Sequence, residues 1–175
     1  FFGKANDIYS KKISSFLKKK FKRVSIFYSS SYGQKINKKI STWRGDYIIC
    51  FRSYLILPIK VIKNAKIAAI NFHPGPPKYR GVGCLNYAMY NKEREYGVTA
   101  HLISRQIDKG KILMVKRFRI ENNQTLNFIL NQTHKHLYNL TIYFIKLITK
   151  NHFNINKLSQ KYKNERWSKV IKKKK

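Results

Sequence analysis

Hydrophobic periodicity in this chain switches repeatedly between strand-like and helix-like segments, the pattern of a layered α/β domain built on a mostly parallel, twisted sheet flanked by helices. Two runs set that pattern. Asp46-Tyr47-Ile48-Ile49-Cys50-Phe51 is almost unbroken in apolar character, as a strand covered on both faces must be. Ala68-Ala69-Ile70-Asn71-Phe72 reads as the next strand and ends at His73. Between them Pro58 stands where a helix can begin, and residues 59–65 can form a short one. Upstream, residues 6–20 place Tyr9, Ile13, Phe16 and Leu17 at helical spacing, with a strand expected over 23–28 and a turn and helix around 33–41.

The stretch 74–83 carries Pro74, Pro76, Pro77, Gly75, Gly81 and Gly83, so it is expected to be an irregular loop. Beyond it the sequence predicts a helix over 84–91, a strand over 98–103 and another extended stretch over 112–120. The gap 104–111 is short enough for a hairpin-like reversal. A long helix is expected over 124–149, with Leu126, Ile129, Leu130, Leu137, Leu140, Phe144, Leu147 and Ile148 forming one apolar stripe across the sheet. Residues 1–150 thus read as one domain, and 43% hydrophobic content over 175 residues is enough to fill its core. Residues 151–175 read as a basic tail with Phe153, Ile155, Leu158 and Trp167 as apolar anchors, expected to run extended, dock in places and fray at its end. The chain opens on Phe1-Phe2-Gly3, which resembles the tail of a strand, so the natural start is expected to lie upstream.

Charge narrows the partners less than it first suggests. With 38 Lys and Arg against 7 Asp and Glu, the formal net charge is +31, a balance that favours nucleic acid or an anionic surface. The lysines, however, are scattered along the whole length among many Asn, Ile, Tyr and Phe, as a compositional drift would leave them. The clusters 18–23, 35–39 and 172–175 are the places where a binding patch could form, and each is equally a solvated face or tail. Cys50 and Cys84 are too few and too far apart for a disulfide framework or zinc site, which fits a reducing cytosol. Pro58, Lys60 and Lys63 break the apolar stretches well before the roughly 18 residues a bilayer span requires, so a soluble, cytoplasmic protein is expected.

In open α/β sheets, ligands bind beyond the carboxyl ends of strands. Asn71 and His73 are predicted at such an end, and residues two apart on a strand share a side, so both can face one site while Phe72 faces the core. Asp108 follows the next strand. Acyl transfer to an amine needs a donor for the oxyanion and a group that handles the proton of the attacking nitrogen. Asn71 can supply the donor, His73 a proton relay, and Asp108 a carboxylate that orients the imidazole. The plainer reading stands beside it: Asn71 and His73 as turn and packing residues, and Asp108-Lys109-Gly110 as an ordinary turn.

Ile70-Asn71-Phe72-His73-Pro74, Tyr79-Arg80-Gly81, Gly97-Val98-Thr99 and Ile107-Asp108-Lys109-Gly110-Lys111-Ile112, in this order and spacing, resemble the formyltransferases that use N10-formyltetrahydrofolate. The likeness extends over residues 1–148. It implies a Rossmann-like catalytic domain, Asn71, His73 and Asp108 as catalytic residues, and N10-formyltetrahydrofolate as formyl donor, with no metal. In the mechanism it implies, Asn71 and His73 stabilise the oxyanion while His73 and Asp108 manage the proton. It also implies that the pterin lies in an apolar pocket held by backbone groups at Leu55, Ile56 and Leu57 and in the loop from Ser104 through Ile107 to Asp108. Without the resemblance, Leu55, Ile56 and Leu57 read as plain core.

The acceptor is expected to be a primary amine. Enzymes of this kind that act on glycinamide ribonucleotide or methionyl-tRNA usually carry Ser-Leu-Leu-Pro after the His or its equivalent, whereas here Pro74 is followed by Gly75-Pro76-Pro77-Lys78-Tyr79. That version, continuing into Gly81-Val82-Gly83-Cys84-Leu85-Asn86-Tyr87, looks more like the N-formyltransferases of nucleotide-linked amino sugars. Methionyl-tRNA is the alternative, favoured by the charge, although such enzymes usually add a C-terminal β-barrel domain. A second alternative is a basic nucleic-acid-binding protein that kept the fold and lost the chemistry; the presence of all three polar site residues argues against it. The turn after Gly3 into the helix near Asn6 could hold an anion of the substrate, or be an ordinary strand-helix turn.

Overall fold

The computed structural model describes residues 1–121 and 123–172, the last by its backbone alone. In chain order it contains β1 (Phe2–Lys4), α1 (Ile8–Lys20), β2 (Phe27–Ser29), α2 (Lys38–Ser41), β3 (Gly45–Phe51), α3 (Ile59–Ile62) and β4 (Ala65–His73). Then follow β5 (Arg80–Gly81), α4 (Cys84–Tyr90), β6 (Glu95–Leu102), β7 (Ile112–Arg119), α5 (Leu126–Ile148), α6 (Ile155–Gln160) and β8 (Ile171–Lys172). Six strands make the main sheet in the order β2-β1-β3-β4-β6-β7. The first four are parallel, and β6 and β7 are added antiparallel. This is the expected α/β architecture with a mostly parallel sheet.

The near-continuous apolar run in β3 is explained by two separate cores. Ile49 and Phe51 pack with Ile70, Phe72, Ile13, Leu17, Leu137 and Phe144, so α1 and α5 cover that face. Ile48 and Cys50 point the other way, into a cluster with Phe2, Ile40, Leu55, Leu57 and Val61 under α2 and α3. α1 begins where Asp7 accepts a hydrogen bond from the Ser10 backbone N–H at 2.8 Å, and Lys18, Lys19 and Lys20 complement the dipole at its other end.

Several expected boundaries move, each for a local reason. The strand expected over 23–28 shortens to β2 because β1 offers it only three partners, Phe2 to Phe27 through Lys4 to Ser29. The helix expected over 59–65 stops at Ile62, and Ala65 already pairs with Gly45 of β3. In α5, Ile129, Leu137, Leu140, Phe144 and Ile148 are buried, whereas Leu126 and Leu130 lie on the margin of the stripe and stay exposed. The expected loop 74–83 contains β5, which pairs with β8.

The tail expected to be extended forms α6, capped by Asn154, whose side chain accepts from Asn156 N and Lys157 N. Phe153, Ile155 and Leu158 pack against the main core, as anchors should. Fraying at its end, and the cluster 172–175 apart from the backbone of Lys172, lie outside the described residues. The clusters 18–23 and 35–39 are largely exposed. Among the described residues no helix is long and apolar enough to cross a membrane.

Candidate active site

Asn71 and His73 sit at the end of β4 and share one side of it, while Phe72 is buried in the core. Asp108 arrives by a different route from the one a parallel sheet offers. Because β6 is antiparallel to β4, Asn71 lies opposite His101 and His73 opposite Thr99, so β6 ends beside Ile70 rather than beyond His73. The 103–111 loop must therefore fold back. It is pinned by Leu102 N donating to Lys111 O at 2.9 Å and Ile103 N donating to Ala69 O at 2.8 Å. A Cβ on Gly110 would lie 1.7 Å from Leu102 O, so only glycine permits this approach. Asp108 itself adopts a left-handed φ of 43°, which Asp tolerates better than most residues.

Folding back brings the three expected residues together. Asn71 Nδ2 donates to Asp108 Oδ1 at 3.3 Å, and His73 Nδ1 stands 3.3 Å from Asp108 Oδ2. His73 and Asp108 are both buried. His73 Nε2 lies 2.8 Å from Tyr79 O and donates to it, which turns Nδ1 toward the carboxylate. Both ring nitrogens of His73 are thus engaged, one by the Tyr79 carbonyl and the other by the Asp108 carboxylate.

The electrostatics follow from this packing. Burial pushes the His73 imidazole down, but the Asp108 carboxylate, helped by Cys84 and the Tyr79 carbonyl, outweighs it and raises the pKa above its ordinary value. Burial pushes Asp108 up, yet His73, then His101, then the Gly81 amide hold it well below the usual carboxylate range. The result is a buried carboxylate that remains ionised at neutral pH.

Sequence reasoning missed much of what holds that carboxylate. His101 Nδ1 donates to Leu102 O at 2.8 Å, and its Nε2 faces both Asn71 Nδ2 at 3.2 Å and Asp108 Oδ1 at 3.4 Å. Gly81 N donates to Asp108 Oδ2 at 3.0 Å. Arg80, buried, ties down the loop backbone by donating to Asp108 O at 2.9 Å and Ile107 O at 2.6 Å. One signal for His101 was available: a lone imidazole in an otherwise apolar strand needs a polar partner. Arg80-Gly81 stood out as a motif, but which loop it would clamp is a tertiary matter.

Of the expected pterin-contacting residues, Leu55 and Leu57 point their side chains into the core, as the plainer reading had it, while Ile56 projects outward at 71% exposure. Ile107 is also exposed, and Ser104 Oγ donates to Gln106 O within its own loop. A cleft of about 460 Å³ opens nearby, bordered by Pro76, Tyr79, Tyr96, Arg117, Glu165 and Trp167. None of Asn71, His73, His101 or Asp108 lines it.

The sequence profile of the formyl transferase family matches residues 4–145. The chain belongs to this family. Among curated relatives, the bifunctional polymyxin resistance protein ArnA of Wigglesworthia glossinidia brevipalpis is 34% identical over 115 residues, 64% of this chain and 18% of that protein. Methionyl-tRNA formyltransferase of Lactobacillus gasseri is 37% identical over 81 residues, 46% of this chain and 26% of the relative. The chain thus matches less than a third of the length of either. Among solved structures, the N-formyltransferase from Helicobacter canadensis, in complex with folinic acid and dTDP-3-aminofucose, superposes with a TM-score of 0.70 at 22% identity. That superposition covers 87% of this chain and 64% of the neighbour, and it shows the shared fold.

Proposed function

We propose that this protein transfers a formyl group from N10-formyltetrahydrofolate to the amino group of a nucleotide-linked amino sugar. The observation that carries the transfer chemistry is the convergence of Asn71, His73 and His101 on one buried Asp108 carboxylate. In this reading the unprotonated amine attacks the formyl carbon and the Asn71 amide N–H stabilises the oxyanion. Asp108, held ionised, accepts the proton of the attacking nitrogen, whose acidity rises sharply once it has bonded to carbon. His73 orients the carboxylate and balances its charge. The C–N10 bond then breaks and N10 takes up a proton. For the donor, Ile56 and Ile107 supply exposed apolar surface on the two segments expected to flank a pterin.

The amino-sugar acceptor is supported by Gly75-Pro76-Pro77 after Pro74 and by the fold shared with an N-formyltransferase bound to dTDP-3-aminofucose. A second reading, formyl transfer to methionyl-tRNA, is favoured by the +31 charge and by relatives of that name. We place either activity in the cytosol, in keeping with the two free cysteines. Incubation with N10-formyltetrahydrofolate and a panel of dTDP- and UDP-linked amino sugars, methionyl-tRNA and glycinamide ribonucleotide separates these readings by product mass. A formylated amino sugar is the expected product. Formylated methionyl-tRNA alone would replace the first reading with the second, and salt-sensitive tRNA binding without any formyl product would end both.

A further inference from the structure

Residues 165–172 return across the candidate site and are anchored at four points. The Glu165 carboxylate accepts two hydrogen bonds from Arg117, at 2.6 and 2.8 Å. Ser168 N donates to Pro77 O at 2.9 Å, and Arg80 donates to Ser168 O at 3.2 Å. β8 pairs with β5, the strand whose Gly81 amide holds Asp108. Between these anchors, Trp167 Nε1 donates to Gly110 O at 2.7 Å, two residues from Asp108. Its indole meets His101 at a centroid distance of 5.0 Å and 82°, and His73 at 5.9 Å and 72°, both edge-to-face.

We infer that Trp167 is a positioning residue that walls water away from His73, His101 and Asp108, so that the formyl group is committed to an amine. The inference rests on the formyl-transfer reading above. The segment lies beyond residue 145, where the family profile ends. Trp167 lines the open 460 Å³ cleft, whereas the polar residues behind it do not, so the indole stands between cleft and site. His73 and His101 are each only 2% exposed.

That separation matters because the same groups could serve water as readily as an amine. Water attacking the formyl carbon forms a C–O bond with the Asn71 amide on the oxyanion. Asp108 takes the proton, the C–N10 bond breaks, and N10 is protonated, giving formate and tetrahydrofolate. Nothing in the chemistry of Asn71 and Asp108 distinguishes the nucleophiles; exclusion of water does.

The test measures formate released from N10-formyltetrahydrofolate supplied without an acceptor, for the wild type, Trp167→Phe and Trp167→Leu, alongside transfer to the acceptor panel. Trp167→Leu is expected to release formate about tenfold faster with little change in the KM for the donor. Trp167→Phe, which keeps an aromatic wall but lacks the donor to Gly110, should fall between them. Formate release by Trp167→Leu at the wild-type rate, from a wild type that transfers formyl groups, overturns the wall alone; a wild type that neither binds nor turns over the folate overturns transfer and wall together. A measurement free of substitutions at Trp167 uses Trp43→Phe, which leaves Trp167 as the only tryptophan. Half-buried at the cleft wall, its indole should be quenched by acrylamide less than a free indole, and emission quenched as freely as a solvent-exposed indole would overturn the placement even if the leucine variant fails to fold.

Discussion

The side chains of the candidate site have different proposed roles, which single substitutions should separate. In the proposed mechanism Asn71 is the amide that meets the oxyanion, and Asn71→Ala is expected to lower kcat by about 10²–10³-fold, as loss of one such donor does elsewhere. The KM for the folate should change little, a split that steady-state kinetics would reveal. His73 and Asp108 leave a signature in stability. The raised His73 pKa contributes stability that is complete below its ordinary value of 6.5 and is lost as pH rises through the raised value. The lowered Asp108 pKa contributes stability present above its ordinary 3.8 and lost as pH falls toward the lowered value. Urea unfolding across this range should therefore show stability declining on the alkaline side of pH 6.5 in the wild type. In Asp108→Asn that decline should flatten, because the charge that raises His73 has gone.

At the scale of elements, the turnback of the 103–111 loop is the feature on which the site depends. β6 runs the wrong way to deliver Asp108 directly, and the loop reaches Asn71 only because Gly110 lies flush against Leu102. Gly110→Ala must push the loop off the β6 backbone, at a cost of about 3 kcal/mol by analogy with overpacked interiors. Equilibrium unfolding would measure that loss, and activity should fall further than stability because Asp108 moves with the loop. The loop's other tether is Arg80, whose guanidinium spans Asp108 O, Ile107 O and Ser168 O, coupling the hairpin loop to the returning tail.

For the whole molecule, charge governs behaviour more than it governs the fold. A chain at +31 repels itself, so raising ionic strength from low to physiological salt should raise the melting temperature, the reverse of what a fold dependent on surface ion pairs would do. Calorimetry in sodium chloride tests this, and an unchanged or lower melting point would mean that charge is not a significant strain on the folded state. The contrast is local: three of the seven acidic residues, Glu93, Glu95 and Glu165, border the cleft beside Trp167, where Arg117 bridges two of them.

Much of this was legible in the sequence alone, because burial on both faces writes itself into a strand as an unbroken apolar run and burial on one face of a helix writes itself as a stripe. That logic marked β3, β4, α1 and α5, and it put Asn71 and His73 on one side of β4. Local propensity could not say that β6 would be antiparallel, that the Asp108 loop would have to fold back over Leu102, or that His101 would share the carboxylate. Those are contacts between segments distant in the chain, set by pairing and packing rather than by any residue's own preference. The tail shows the same limit: its apolar anchors were visible, but only the assembled fold brought Trp167 against His73 and His101. The alternation of strand and helix periods determined the α/β domain, and the tertiary structure decided which polar groups surround one buried charge.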